Sequence, residues 1–204
     1  MIDVAIFSIP AAIIGARLYY IVFAFDRFNS FYDAIAVWNG GLAVYGGIIF
    51  GFATAFLVAK IKKLSILKVF DSTAPAIMLG QIIGRWGNFT NAEAFGIRTE
   101  LPWEMTINAR AAVHPIFLYE CLWNLVGFAI INLIYKNKKF DGQIFLIYCI
   151  GYGAGRFWME SLRTDQLKLF ASNLAVSQVF SVIVVIAGTA IMLYNLNKSK
   201  NIIE

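Results

Sequence analysis

Arg85, Asn88, Asn91 and Glu93 stand within Gly84-Arg85-Trp86-Gly87-Asn88-Phe89-Thr90-Asn91-Ala92-Glu93-Ala94-Phe95-Gly96, at the end of a strongly apolar segment. Charge at such a depth is costly and is generally retained for a function. The residue types suit an anionic lipid head group. Arginine offers phosphate a fixed fork of donors. Asparagine adds donors and acceptors, and Gly84, Gly87 and Gly96 let backbone come close. The alternative is an Arg85 salt bridge to Glu93 or Glu120 that only locks helices.

A second cluster closes another apolar run, Gly151-Tyr152-Gly153-Ala154-Gly155-Arg156-Phe157-Trp158-Met159-Glu160-Ser161-Leu162-Arg163. Arg156 and Glu160 are i,i+4 and Arg156 and Arg163 are i,i+7, so the spacing predicts one plus-minus-plus helix stripe. The plain alternative is an intrahelical ion pair. Arg17 and Tyr20, three apart, share a face of the first apolar run, where an arginine tied to a neighbouring helix is the structural alternative. His114 is the only histidine and sits just before Pro115, Tyr119 and Glu120. A lone histidine is commonly structural, yet its unperturbed pKa suits proton transfer near neutrality.

These groups need a scaffold, and the composition says which kind. The chain has 204 residues, 60% of them hydrophobic and only 14% charged, against roughly 25% charged in soluble domains. The expected class is all-α, a polytopic integral membrane protein of about six transmembrane helices of ~20 residues each, forming a single domain over 1–204. The expected spans are 2–25, 38–60, 72–89, 115–135, 143–162 and 173–194. The first lacks a basic n-region, carries Asp3 and is interrupted by Arg17, so it reads as a membrane helix rather than a signal peptide. Gly47 and Gly51 form a small-xxx-small pair suited to close helix packing.

Lys60, Lys62, Lys63 and Lys68 cluster in one connection, Lys136, Lys138 and Lys139 in another, and Lys198 and Lys200 follow the last span. By the positive-inside rule these connections face the cytoplasm. The connections with Arg27, Arg98, Arg110, Arg163 and Lys168 face outward, and both termini lie inside. The net charge of +5 therefore reports membrane topology and does not argue for a nucleic-acid partner. Cys121 and Cys149 lie inside apolar runs and read as small buried hydrophobes. No cysteine or histidine cluster has metal-ligand spacing.

The Gly84–Gly96 stretch resembles the signature G-R-x-G-N-F-x-N-x-E-x-x-G of the bacterial phosphatidylglycerol–prolipoprotein diacylglyceryl transferases, matching every fixed position. Tyr152–Arg163 matches the family's Y-G-x-G-R-F-x-x-E-x-x-R, and Ala16–Tyr20 resembles its A-R-x-x-Y. His114, Pro115, Leu118, Tyr119 and Glu120 match H-P-[ST]-Q-L-Y-E, with Ile116 and Phe117 replacing polar residues. Gly40–Gly47 resembles G-G-(x)3-H-G-G, but Tyr45 stands where many members have histidine. The resemblance covers about Ile14 to Asp165. The family carries a further N-terminal span with an R-x-Y-G stretch, and this chain is expected to begin just before the helix that follows it.

The resemblance implies transfer of the diacylglyceryl group of phosphatidylglycerol to the lipobox cysteine thiol of a prolipoprotein signal peptide. A thioether forms and glycerol phosphate leaves, in the bacterial cytoplasmic (inner) membrane, with no metal or organic cofactor. It implies catalytic roles for Arg85, Arg156, Tyr45, His114 and Glu160. Phosphatidylglycerol is expected on Arg85, Asn88, Asn91, Glu93, Gly96, Arg17, Tyr20 and Arg163. Arg85 and Arg156 would stabilise the leaving phosphate, and their positive field would favour a thiolate. A phenol with a reference pKa near 10 is a poor base for a thiol of about 8.5, so Tyr45 is expected to donate a hydrogen bond. Two other readings stay open: a catalytically impaired lipid-binding membrane protein, and a small anion transporter.

Overall fold

In the computed structural model, residues 1–28, 30–106, 112–164, 166 and 174–200 are described. Arg110 and Lys168, assigned above to outward connections, lie outside them. Among the described residues the helices are α1 Ile2–Phe23, α2 Phe31–Ile35, α3 Val44–Ile61, α4 Ile66–Thr90, α5 Ile116–Tyr135, α6 Gln143–Glu160 and α7 Val176–Lys200. The all-α expectation holds. Five helices, α1, α3, α4, α5 and α7, are long and apolar enough to cross a membrane. The sixth expected span coincides with α6, which has 18 residues and carries Gln143, Arg156 and Glu160, so it is less apolar than the other five. Its polar positions are turned inward, with Gln143 and Glu160 buried.

The chain divides into two compact units, 1–69 and 70–204. In the first, α1 packs on α3. Small residues make the crossing close. A Cβ on Gly46 would meet the Gly15 carbonyl oxygen at 2.2 Å, and Gly47 and Gly51 both face Ala12. The small-xxx-small pair thus serves helix packing. Val4, Ala55, Ala59 and Val69 form the core of this unit, and Asp3 pairs with Lys62 at 3.1 Å. Helix α3 starts at Val44 rather than near 38, because Gly40 and Gly41 hold φ of 85° and 74°, outside the helical region.

In the second unit α5 packs on α6, and α4 reaches both through its side chains. Ala74, Met78, Ile131 and Ile144 form a shared core. One end is fixed by Asp71 of α4. This residue is fully buried and accepts hydrogen bonds from Gly142 N (2.8 Å), Phe145 N (3.0 Å) and Lys138 Nζ (2.8 Å). A carboxylate at the first turn of α6 satisfies amides that the helix leaves unpaired. Gln81 of α4 donates to the Tyr148 hydroxyl at 3.0 Å midway along. Phe117 of α5 stacks on Phe89 and meets Trp86 edge-on near the other end. Helix α7 packs on α6, with Gly153 against the Ser181 carbonyl and Val185.

Candidate active site

Glu120, in the first turns of α5, is 5% exposed and holds two arginines. Its Oε2 lies 2.7 Å from Arg85 Nε of α4, and its Oε1 accepts from Arg156 Nη1 of α6 at 2.7 Å. Arg156 Nη2 lies 2.8 Å from Glu160 Oε2 one turn further along α6. The contacts to Glu120 Oε2 and Glu160 Oε2 are close charge contacts without hydrogen-bond alignment. Four ionised groups from three helices thus alternate in sign. The aromatic contacts of Trp86 and Phe89 with Phe117 set the level at which Arg85 meets Glu120. Gly155 lets Trp123 lie against α6, where a Cβ would meet the indole nitrogen at 2.3 Å, and that nitrogen donates to Gly151 O at 2.9 Å.

The two arginines are not saturated. The contact of Arg85 with Glu120 is through Nε, and Arg85 donates no hydrogen bond among the described residues. A guanidinium has five N–H donors in a fixed fork, so the outer end of Arg85 remains available for phosphate. Arg17 is the opposite case. Its Nε, Nη1 and Nη2 donate to the carbonyls of Asp33, Ala34, Ala36, Gly40 and Gly41, which uses all five donors. It also faces the rings of Tyr20 and Phe28. In this structure Arg17 thus ties together the backbone of the segment before α3.

Further expected residues divide in the same way. Asn88, one turn from Arg85, is half-buried and its amide has no partner among the described residues. Asn91 Nδ2 donates to Glu93 Oε1 at 3.2 Å, and both are exposed, so Glu93 is not the partner of Arg85. Gly96 is needed for packing. A Cβ there would meet His114 Cβ at 2.7 Å and Leu162 O at 3.0 Å. It pairs in backbone with Arg163, which lies beyond the end of α6. The expected stripe of Arg156, Glu160 and Arg163 is therefore broken after Glu160. Tyr45, 71% exposed, starts α3 beside Tyr19, and Tyr20 meets Phe28 edge-on; both belong to the first unit.

His114 Nδ1 lies 3.2 Å from the Tyr119 hydroxyl, which accepts from Trp103 Nε1 at 2.8 Å. Indole is only a donor, so the Tyr119 proton is free to point at Nδ1 and leave Nε2 protonated. The ring lines a groove of about 470 Å³ walled by Trp103, Leu118, Tyr119, Leu122, Trp158 and Leu162. None of these walls carries a charge. A separate crevice beside the ion pairs is lined by Arg85, Glu120, Trp123, Asn124, Tyr152, Gly155, Arg156 and Met159. Its free volume of ≈ 10 Å³ is about that of one water.

In the cluster the two guanidiniums alternate with the two carboxylates of Glu120 and Glu160. Glu120, read above only as a structural partner, is the hub. Its signal was an acid four residues before Asn124 inside an apolar run, a pairing that marks one helix face. Among the described residues no group of three or more His, Cys, Asp or Glu is placed to hold a metal ion. Cys121 and Cys149 are both free thiols.

The family model for prolipoprotein diacylglyceryl transferase matches residues 1–194. The chain belongs to that family. A phosphatidylglycerol–prolipoprotein diacylglyceryl transferase of Finegoldia magna is 46% identical over 195 residues, which cover 95% of this chain and 77% of the relative. One of Clostridioides difficile is 41% identical over 202 residues, covering 98% and 80%. One of Bacillus licheniformis is 39% identical over 214 residues, covering 98% and 78%. With its five spanning-length apolar helices, this member of the family is a multi-pass membrane protein.

Proposed function

We propose that this chain transfers the diacylglyceryl group of phosphatidylglycerol to the cysteine thiol of a prolipoprotein lipobox. The carrying observation is the Arg85–Glu120–Arg156–Glu160 chain, in which Arg85 keeps its outer guanidinium edge free. The thiolate sulfur attacks the glyceryl carbon bonded to phosphate oxygen. A C–S bond forms as the C–O bond breaks, the thiol proton leaves, and glycerol phosphate departs with an added negative charge. Arg85 and Arg156 receive that charge through aligned N–H donors in a site shielded from water. Glu120 and Glu160 orient them, and Asn88 adds an amide at the same end of α4.

The lysine-rich connections 60–68 and 136–139 support a cytoplasmic placement of those loops in a bacterial inner membrane. The N-terminal end of α1 and the C-terminal end of α7 then also face the cytoplasm. Residues 1–204 act as one transmembrane domain on this reading. Single cysteines placed at Lys138 and Glu100 test the topology: only the latter should react with an impermeant thiol reagent from outside.

A catalytically impaired lipid-binding protein is the second reading, and Tyr45 favours it. Purified protein, phosphatidylglycerol and a lipobox peptide decide between them. Appearance of the thioether-linked diacylglyceryl peptide supports the transferase. Lipid binding without product supports the impaired protein.

A further inference from the structure

Asn124 is 3% exposed within the apolar helix α5, and its side-chain amide makes no hydrogen bond to any described residue. Buried polar groups are nearly always paired, so an amide that opens onto this crevice unpaired calls for a partner that no described residue supplies. It lies one turn beyond Glu120 on the same face of α5 and lines the crevice with Arg85, Glu120, Tyr152 and Arg156. The crevice has room for about one water-sized group, ≈ 10 Å³. A phosphate is too large to enter it, whereas a single hydroxyl fits.

The chemistry narrows the partner further. An amide both donates and accepts. A phosphate only accepts and an ammonium only donates, while a hydroxyl does both. The crevice is lined by two arginines against one carboxylate, Glu120, a lining that disfavours an ammonium head group. We infer that Asn124 hydrogen-bonds a hydroxyl of the lipid's head-group glycerol, which makes it a specificity-determining residue for anionic phospholipids whose head group carries a hydroxyl. On this arrangement the arginines meet the phosphate, and the head group extends one helical turn further along α5. The inference rests on the transferase reading for its site and deepens it by assigning the atom that is recognised.

The test uses the full chain in detergent micelles and two short-chain probes of equal charge. These are dioctanoyl phosphatidylglycerol and dioctanoyl phosphatidylpropanol, the latter lacking head-group hydroxyls. The native protein should bind the glycerol lipid about tenfold tighter, the scale of one hydrogen bond. Asn124→Leu, similar in volume, should bring the two affinities within about twofold by weakening only the glycerol lipid. Asn124→Ser, which keeps a small polar group, should retain part of the preference. Because each variant is read as a ratio between two lipids, a loss of folded protein cancels. Native protein that binds both lipids equally, or neither, overturns the assignment. So does Asn124→Leu that keeps the native ratio or weakens both lipids alike, the result expected if Asn124 only holds a water. Transfer to a lipobox peptide is measured in parallel. Lost head-group preference without any transfer by native protein would uphold Asn124 and sink the transferase reading. Transfer without preference would do the reverse.

Discussion

Arg156 Nη1 and Glu120 Oε1 stand 2.7 Å apart, and the same carboxylate holds Arg85 through its other oxygen. Glu120 is thus shared by α4, α5 and α6, and neither arginine is held to the other helices independently. A substrate phosphate therefore meets guanidiniums that a carboxylate already holds in place. That relationship separates orientation from binding and makes the two measurable apart.

Replacing Glu120 by Gln tests the separation. The carboxamide cannot hold two guanidiniums, and the cluster gains one net positive charge. Turnover should fall about 10- to 100-fold as the arginines lose alignment, while KM for phosphatidylglycerol stays level or drops. A variant with unchanged kcat and raised KM would show that Glu120 contributes to uniform binding instead.

Arg85→Lys keeps the charge and removes the planar fork. The free Nη edge is the part that differs, so turnover should fall by at least ~100-fold, comparable to deleting one oxyanion donor. Near-native turnover in well-folded protein would remove Arg85 from the phosphate site.

Arg17→Lys should behave otherwise. An ammonium has three donors, so at least two of the five carbonyls now capped by Arg17 lose a partner. Each buried unpaired group costs about 1–3 kcal/mol. A drop of several degrees in Tm is expected. An unchanged Tm would contradict the organising role.

The contrast between these two arginines shows what the sequence holds. Both sit in apolar runs and both match a family motif, so residue type and spacing treat them alike. Their fates differ because five backbone carbonyls converge on Arg17, and carbonyls leave no mark in a sequence. The helices themselves were legible from apolar runs. Their ends were not, wherever backbone outside the helix intervened: Gly40 and Gly41 delay α3, and the Gly96–Arg163 pairing ends α6 early. Motif and spacing singled out Arg85, Arg156 and Glu160, and the structure brings them into one cluster. Glu120 as hub and Asn124 as a bare amide required knowing which turn of α5 meets Arg85.

Ala92 offers a local test of the loop after α4. Ala92 N donates to Phe89 O and Glu93 N to Asn88 O, the pair of bonds that closes a helix with a left-handed residue. Ala92 holds φ 53°, a region that costs an L-residue roughly 1–2 kcal/mol. Ala92→Gly relieves that cost but adds freedom to the unfolded chain. The net gain should be up to about 1 kcal/mol, raising Tm by roughly 2–4 °C for a chain of this size. A lowered Tm would show that the methyl group packs productively.

The Asp71–Lys138 pair predicts how stability responds to alkali. Lys138 lies in the connection between α5 and α6, and its hydrogen bond to buried Asp71, helped by Asp141, holds its pKa above the ordinary lysine value. A raised folded pKa means that the proton is bound more tightly in the native protein. The stabilisation is therefore complete below the unfolded lysine pKa, about 10.4, and fades as pH rises through the higher folded value. Lys138→Gln should cost about 1–2 kcal/mol at neutral pH, because Asp71 keeps the amides of Gly142 and Phe145 but loses its charged donor. Thermal unfolding of both proteins in detergent, followed from pH 7 to 11.5, should give a constant gap up to about pH 10 that narrows beyond it. A gap that widens with alkali, or is absent at pH 7, would show that Lys138 does not stabilise the junction through its charge.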